Sequence, residues 1–218
     1  MGTARTPAGT RIFMQSADAG AKQAITAIST ADPAVITYAG ADPANATYMA
    51  MVDLFGMTEF EDALVKVSAV NTVANTFEAE DQSSVGYGAF VSGNIQPIIM
   101  ALEMSDATGF SISGFEQQFA SYGLLRDRIT RQRPTVVSPG TVTIPHLWDP
   151  TTAATKAIIA AADTAKKLGF KILFPDGLEV LFFGYIGASG LPTVQDINTV
   201  METQITVSIA SRPRYVLP

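Results

Sequence analysis

Apolar and polar residues alternate along much of the chain, and this period of two is typical of half-buried β-strands. The clearest case is Thr199–Ser211, near the C-terminus. One side of this strand would carry Met201, Thr203, Ile205, Val207 and Ile209. The other side would carry Val200, Glu202, Gln204, Thr206 and Ser208. We therefore expect one side to pack in a core and the other to meet water or a lumen.

Other segments share this strand character. They are Gly9–Gln15, Leu64–Glu80, parts of Ile95–Glu103, Thr141–Trp148, and a hairpin formed by Phe170–Phe174 and Leu178–Ile186. The hairpin turn is Pro175-Asp176-Gly177, whose residue types favour a tight turn. Both faces of Leu178–Ile186 are apolar, which predicts a strand that is buried on both sides.

One stretch, from about Pro150 to Leu168, has a helical period instead. Asp149 is a suitable N-cap, Pro150 suits the first helical position, and Gly169 suits the position after the helix. Apolar residues recur on one face at Ala154, Ile158, Ala161, Ala165 and Leu168. The chain is thus predicted to be mainly β with one packed α-helix.

The composition suggests a surface that is largely covered. Hydrophobic residues make up 47% and charged residues 16%, against roughly a quarter charged in an ordinary soluble domain. The chain has no cysteine and a single histidine, His146. These counts exclude disulfides, thiol nucleophiles, cysteine-based metal sites and centres with several histidines.

No segment matches a catalytic motif in its required context. Gly184–Gly190 lacks the Lys-Ser/Thr ending of a phosphate loop and leads into Pro192. His146 has no Ser/Asp partner pattern, so we interpret it as structural. Two acidic clusters do not match a calcium-loop spacing; they are Glu59-Glu61-Asp62 and Glu78-Glu80-Asp81. We predict that the protein is not an enzyme and uses no cofactor or metal.

The net charge of −6 conceals a strong asymmetry. Residues 23–125 contain twelve acidic residues and one basic residue, Lys66. A compact basic cluster follows, formed by Arg126, Arg128, Arg131 and Arg133. This cluster is either a solvated loop or a complementary patch for a second copy of the chain. The longest uncharged apolar stretch, Val180–Ala188, is far too short to span a bilayer, so we expect no membrane partner and assembly in a cytoplasm.

Three motifs follow one another in Phe170–Pro213. They are Phe174-Pro175-Asp176-Gly177, the aromatic strand Phe182–Gly187, and the polar strand Thr203–Val207 that ends at Arg212-Pro213. In order and spacing this segment resembles the tail tube (major tail) proteins of long-tailed bacteriophages, of the kind found in phage lambda. The resemblance is strong over residues 135–214, whereas residues 17–63 and 91–131 match no part of the family pattern.

The resemblance implies a structural virion protein with two packed antiparallel β-sheets, as a sandwich or barrel, flanked by one helix. Such subunits form hexameric rings that stack into a tube, and DNA passes through the lumen during genome ejection. The expected partners are further copies of the chain, the tape measure protein, the tail terminator and the distal tail protein. The expected organisation is a single tail-tube domain, 1–218, with arms at about 1–8 and 212–218 and long insertions at about 17–63 and 82–133.

Assembly residues follow from the strand pattern and the charge pattern. The lumen candidates are Glu78, Glu80, Asp81, Glu202 and Gln204, because an acidic lining would repel DNA phosphates. The inter-ring candidates are Arg126, Arg128, Arg131 and Arg133. Alternatives are the tube subunit of a contractile tail or injection machine, and a monomeric β-barrel that binds a small apolar ligand.

Overall fold

The computed structural model describes residues 8–122, 129, 131–189 and 201–218 of the chain. In chain order the strands are β1 (Arg11–Met14), β2 (Ala17–Asp18), β3 (Gln23–Ile28), β4 (Val35–Ala39), β5 (Tyr48–Phe55), β6 (Leu64–Asn71), β7 (Thr76–Ala79), β8 (Ser92–Ile99), β9 (Leu102–Glu103), β10 (Ser111–Ser113), β11 (Gln117–Tyr122), β12 (Arg131–Val137), β13 (Thr141–Leu147), β14 (Lys167–Leu173), β15 (Glu179–Ser189), β16 (Glu202–Ile209) and β17 (Arg214–Val216). Helix α1 spans Ala153–Asp163, and a single 3-10 turn spans Thr58–Phe60. The protein is therefore mainly β with a flanking helix, as predicted.

Sheet I is antiparallel and has the strand order β10-β13-β16-β15-β14-β1-β9, with β17 beside the start of β15. Its two end strands, β9 and β10, belong to one continuous chain segment. That segment hydrogen-bonds to β1 through Met104 N and Ile12 O, and to β13 through Leu147 N and Asp106 O. Both margins of the sheet thus meet the same segment, so sheet I is rolled around its core.

Sheet II, also antiparallel, is built from residues 17–99 and has the order β2-β8-β3-β4-β7-β6-β5. Strand β8 pairs with β3 and also with β5, so strands β3 to β8 close on themselves. Residues 17–63, which we interpreted from the sequence as an insertion, supply β2 to β5. Their side chains form much of the core of this sheet, and the buried set includes Ile36, Met49, Met51, Leu54 and Phe60.

The two sheets pack face to face because the side chains of β15 alternate between two cores. Val180 and Phe182 join the core that sheet I shares with α1, where Phe182 stacks on Phe170 at a centroid distance of 5.4 Å. Leu181 and Phe183 point the other way and pack on Leu64 of sheet II and its neighbours. The prediction that this strand is buried on both sides is confirmed over residues 178–184.

The helix is shorter than the sequence predicted, and both predicted caps were wrong. Asp149 caps a preceding turn, since its Oδ1 accepts hydrogen bonds from Thr151 N and Oγ1. Thr152 is the N-cap and accepts from Thr155 N at 3.2 Å. The helix ends at Asp163 because the following residues enter β14, where Leu168 is a core residue. Gly169 is not a helix cap but a contact point between the sheets: a Cβ there would lie 3.1 Å from Ile98 Cδ1.

Strands β11 and β12 form a separate two-stranded ribbon, which leaves sheet I between β10 and β13. They pair with each other antiparallel, and every residue in them except Tyr122 is exposed. Among the large apolar side chains, Phe119 is 58% exposed and Val136 is 69% exposed. A ribbon of two strands is marginally stable by itself. Its exposed apolar side chains therefore indicate a surface that contacts another protein.

Candidate functional site

Among the described residues, no element packs on one face of sheet I, which is formed by β10, β13 and β16. The strand registers align its outward side chains in four rows. The rows are Ser113–Thr141–Ser208, Ser111–Thr143–Thr206, Pro145–Gln204 and Leu147–Glu202. We call this set the polar face. Its residues are half-buried or exposed, whereas their strand neighbours Val142, Ile144, Ile205 and Val207 lie in the core.

The polar face has a definite chemistry. Most of its side chains are hydroxyls, with the amide of Gln204, and Glu202 carries the only charge in the set. Hydroxyl and amide groups exchange hydrogen bonds with water readily and have no fixed charge to hold a phosphate. Such a face can pass a polyanion without binding it, because it offers neither cations nor a large apolar surface.

The structure places the sequence-predicted lumen candidates on two different sheets. Glu202 and Gln204 lie exposed on the polar face of β16. Glu78 lies half-buried on β7 of sheet II, where its register partners are Val35 and Ser68. The next two residues, Glu80 and Asp81, follow β7 directly.

Glu80 and Asp81 both have partners within the same subunit. Glu80 Oε2 lies 3.2 Å from Lys66 Nζ, and Asp81 Oδ2 accepts a hydrogen bond from Leu217 N at 2.7 Å. Strand β17, in the predicted C-terminal arm, is thus fixed to both sheets, because it also pairs with β15. The neighbouring Arg214 guanidinium lies 4.7 Å from the centroid of the Phe60 ring.

Of the inter-ring candidates, the structure describes two. Arg131 and Arg133 lie on β12 of the ribbon, and Arg126 and Arg128 lie outside the described residues. The Arg133 guanidinium lies 5.2 Å from the centroid of the Tyr122 ring on β11. Register puts Arg131 opposite Tyr122 and Arg133 opposite Ala120, so both arginines are on the same face of the ribbon.

A polar cluster between the two sheets has no counterpart in the sequence analysis. Glu179 of β15 accepts a hydrogen bond from the Tyr48 hydroxyl at 3.1 Å and lies 3.8 Å from Lys66 Nζ. The Tyr48 hydroxyl also accepts from Lys171 Nζ at 3.2 Å. Burial, together with the charge of Glu179, raises the pKa of Tyr48, and burial lowers the pKa of Lys171. We call Lys66, Glu80, Glu179, Tyr48 and Lys171 the inter-sheet cluster.

His146 lies at the far end of β13 from the ribbon and is only 6% exposed. Its side chain is on the core side of the strand, on the same side as Val142 and Ile144. Burial lowers its pKa, which the nearby Asp106 carboxylate only partly opposes. The sequence-based interpretation of a structural histidine agrees with this position.

The described residues form a cavity of ligand size, whereas they group no side chains for a metal ion. A cavity of about 510 Å³ opens between residues 9–12 and 103–110, and hydroxyl groups, glycines and the exposed Arg11–Glu103 ion pair line much of it. Within the described ranges, no group of three or more His, Asp or Glu side chains is arranged to hold a metal ion. No described helix has the length and apolar character needed to cross a membrane.

Comparison with known proteins agrees with a role in assembly. Residues 55–218 match the family model described as phage tail tube protein, TTP. No curated protein matches the chain. The family match covers most of the chain and includes the polar face, the helix and the ribbon. The chain therefore belongs to the phage tail tube protein family and is a structural component of the virion tail.

Proposed function

We propose that this protein forms hexameric rings that stack into the tube of a long phage tail, and that DNA passes through the lumen into the host. The observation that carries the proposal is the polar face, an uncovered sheet surface that is almost free of charge. An uncovered face of this composition suits a water-filled conduit better than it suits an interface that must bury apolar area. Assembly would take place in the host cytoplasm.

Within such a ring, Glu202 and Gln204 would line the lumen, with the hydroxyl rows of β10 and β13 beside them. Glu78, Glu80 and Asp81 remain candidates, although Glu80 and Asp81 are engaged inside the subunit. Subunits within a ring would join through the margins of their sheets. In the described chain β10 is hydrogen-bonded to a strand, β13, on one side only, and a second copy could pair with its other edge.

Further partners belong to the same proposal. A tube needs a tape measure protein inside it during assembly, a terminator at one end and a distal tail protein at the other. A non-contractile tail is the version that we propose, and the tube of a contractile tail or injection machine is the alternative. A sheath around tubes in intact particles would favour that alternative.

Electron microscopy of the purified protein tests the proposal directly. We expect rings of six subunits and tubes with a central channel. A compact 23.0 kDa monomer at high concentration would contradict the proposal and would favour the ligand-binding alternative.

The lumen assignment can be tested by cysteine labelling, because the native chain contains no cysteine. A Gln204→Cys variant should react with a bulky maleimide as a free subunit and be protected by at least about tenfold in assembled tubes, because the lumen restricts access. Val73→Cys is the matched control, since Val73 is 94% exposed in a turn of sheet II. Equal reactivity of the Gln204→Cys variant in subunits and tubes, with intact tubes seen by microscopy, would place β16 outside the lumen.

A further inference from the structure

The single histidine of the chain, His146, lies where sheet I closes around its core. Its side chain is 6% exposed on the core side of β13, and its Nδ1 makes no well-formed hydrogen bond to any described residue. A neutral imidazole tolerates such a site better than an imidazolium, because both ring nitrogens of the charged form are donors that need acceptors. The closed sheet therefore holds His146 in its neutral form.

Residues 104–108, which we call the closing segment, join the margin of sheet I to β13 around this histidine. Two backbone hydrogen bonds of 2.9 Å make the joint: Thr108 N donates to Pro145 O, and Leu147 N donates to Asp106 O. Between these bonds, Ala107 is the bridge partner of His146. The backbone of the closing segment thus covers the imidazole on this side of the strand.

The closing segment has space beside it. It borders the cavity of about 510 Å³ that opens towards residues 9–12. Its connection to β1 is short, since Met104 N donates to Ile12 O next to the two-residue strand β9. A shift of the segment away from β13 therefore meets open space and breaks few backbone hydrogen bonds.

We propose that protonation of His146 releases the closing segment from β13, so that this margin of sheet I opens in mild acid. A buried imidazolium without acceptors is costly, and lifting the segment lets water reach it. The closing segment leads into β10, whose free edge is the contact that we propose within a ring. Tubes should therefore loosen under the same conditions; that step rests on the proposed function, whereas the release within one subunit does not.

The groups around His146 set the direction of the effect. The Asp106 carboxylate and the backbone of Ile144 favour the protonated ring, but burial opposes it and is the larger influence, so the pKa of His146 is lowered. On β16 its register partner is the uncharged Thr203, and Glu202 projects from the opposite, polar face. The buried side chains of α1 are also uncharged.

The sign of the pH dependence follows from this lowered pKa. In the open state the imidazole meets water and titrates near its ordinary pKa of 6.5. The open state therefore binds the proton more readily than the closed state does. The closed state keeps its full stability above about pH 6.5 and loses stability as the pH falls below that value.

Hydrogen exchange of the free subunit tests the release. Amide protection factors, which correct for the intrinsic pH dependence of exchange, should fall about fivefold or more at Leu147 and Thr108 between about pH 7.5 and about pH 5. The amides that join β14 to β15 are the internal control and should keep their protection. Constant protection at Leu147 and Thr108 across this range would refute the proposal.

Two variants identify His146 as the cause. His146→Gln is neutral at every pH, so the protection of Leu147 and Thr108 should no longer depend on pH; an equal loss in this variant would overturn the proposal. Asp106→Asn keeps the backbone carbonyl that accepts from Leu147 N and serves if His146→Gln does not fold. It should deepen the loss in acid, because the closed imidazolium loses its nearby carboxylate. An unchanged or smaller loss would contradict the assignment.

The histidine NMR signal gives a direct reading, because the chain has one histidine. It should titrate below pH 6.5 in the parent and lower still in Asp106→Asn. Titration at or above 6.5 in the parent would refute the proposal.

Tubes give a separate readout by electron microscopy. Parent tubes should be intact at about pH 7.5 and shorten or dissociate at about pH 5, whereas His146→Gln tubes should survive both. If the parent forms no tubes at either pH, the proposed function fails while the exchange result stands. If exchange shows the release but parent tubes are intact at both values, the step from release to assembly is refuted.

Discussion

Replacing Val207 with Asp is expected to prevent the protein from folding. Val207 is fully buried, and its register partners on the two flanking strands are Val142 and Ile186, which belong to the same core. An aspartate at this position would bury a carboxylate without a partner, at a cost of several kcal/mol. Because the whole stability of a domain is about 5–15 kcal/mol, this loss is enough to unfold a marginal one.

Ser208→Asp is the matched control. It lies on the next position of the same strand, but its side chain is exposed on the polar face opposite Thr141. We expect this variant to remain soluble and to melt near the parent temperature, whereas Val207→Asp should be insoluble or lack a cooperative transition. Val207→Ala should fall between them, with a loss of about 2 kcal/mol. Equal damage from the two aspartates would mean that the faces of β16 are wrongly assigned.

The alternation of β16 could be predicted because the burial of one strand face produces a pattern within the strand's own sequence. A strand with one buried face must place apolar residues at every second position, and Ile205, Val207 and Ile209 do so. The same logic located β1, β13 and the β14–β15 hairpin within a few residues. The family motifs lie in this part of the chain, so the resemblance and the strand pattern supported each other.

The helix shows where local signals fail. Asp149 and Gly169 are suitable cap residues, yet tertiary pairing determined the outcome. Leu168, Phe170 and Ile172 alternate in β14 and reach the core from a strand that pairs with both β15 and β1. In this region the sequence fits both a helical period and the strand period of two. Only the packing of β14 against β15 selects the strand.

The inter-sheet cluster was beyond sequence reasoning for a different reason. Tyr48 and Glu179 are separated by 131 positions, and nothing near either residue indicates its partner. The acidic residues after β7 were therefore interpreted as a surface, although Glu80 belongs to this cluster. Likewise, the ribbon was predicted only as part of a long insertion, because its exposed strands lack the apolar alternation that marks a packed one.

Replacing Glu179 with Gln should destabilise the protein by about 2–4 kcal/mol, because it removes the central negative charge of the inter-sheet cluster. The Glu179 side chain is 12% exposed and that of Lys66 is 18% exposed, so solvent screens their interaction only weakly. Without the carboxylate, Lys66 would retain Glu80 alone, and the Tyr48 hydroxyl would lose a full acceptor charge. Denaturation in urea should show a lower midpoint with an unchanged slope.

Two further variants test why the protein loses stability when the Glu179 charge is removed. The cause we expect is that Lys66 loses a carboxylate partner. Glu103→Gln makes the same chemical change in the exposed ion pair with Arg11, and we expect a small effect because solvent screens that pair. Glu179→Gln combined with Lys66→Met should recover part of the lost stability, because it also removes the half-buried ammonium that has lost one of its two carboxylate partners. If the double variant is as unstable as the two single changes added together, Glu179 and Lys66 are not coupled and the cluster does not join the sheets through charge.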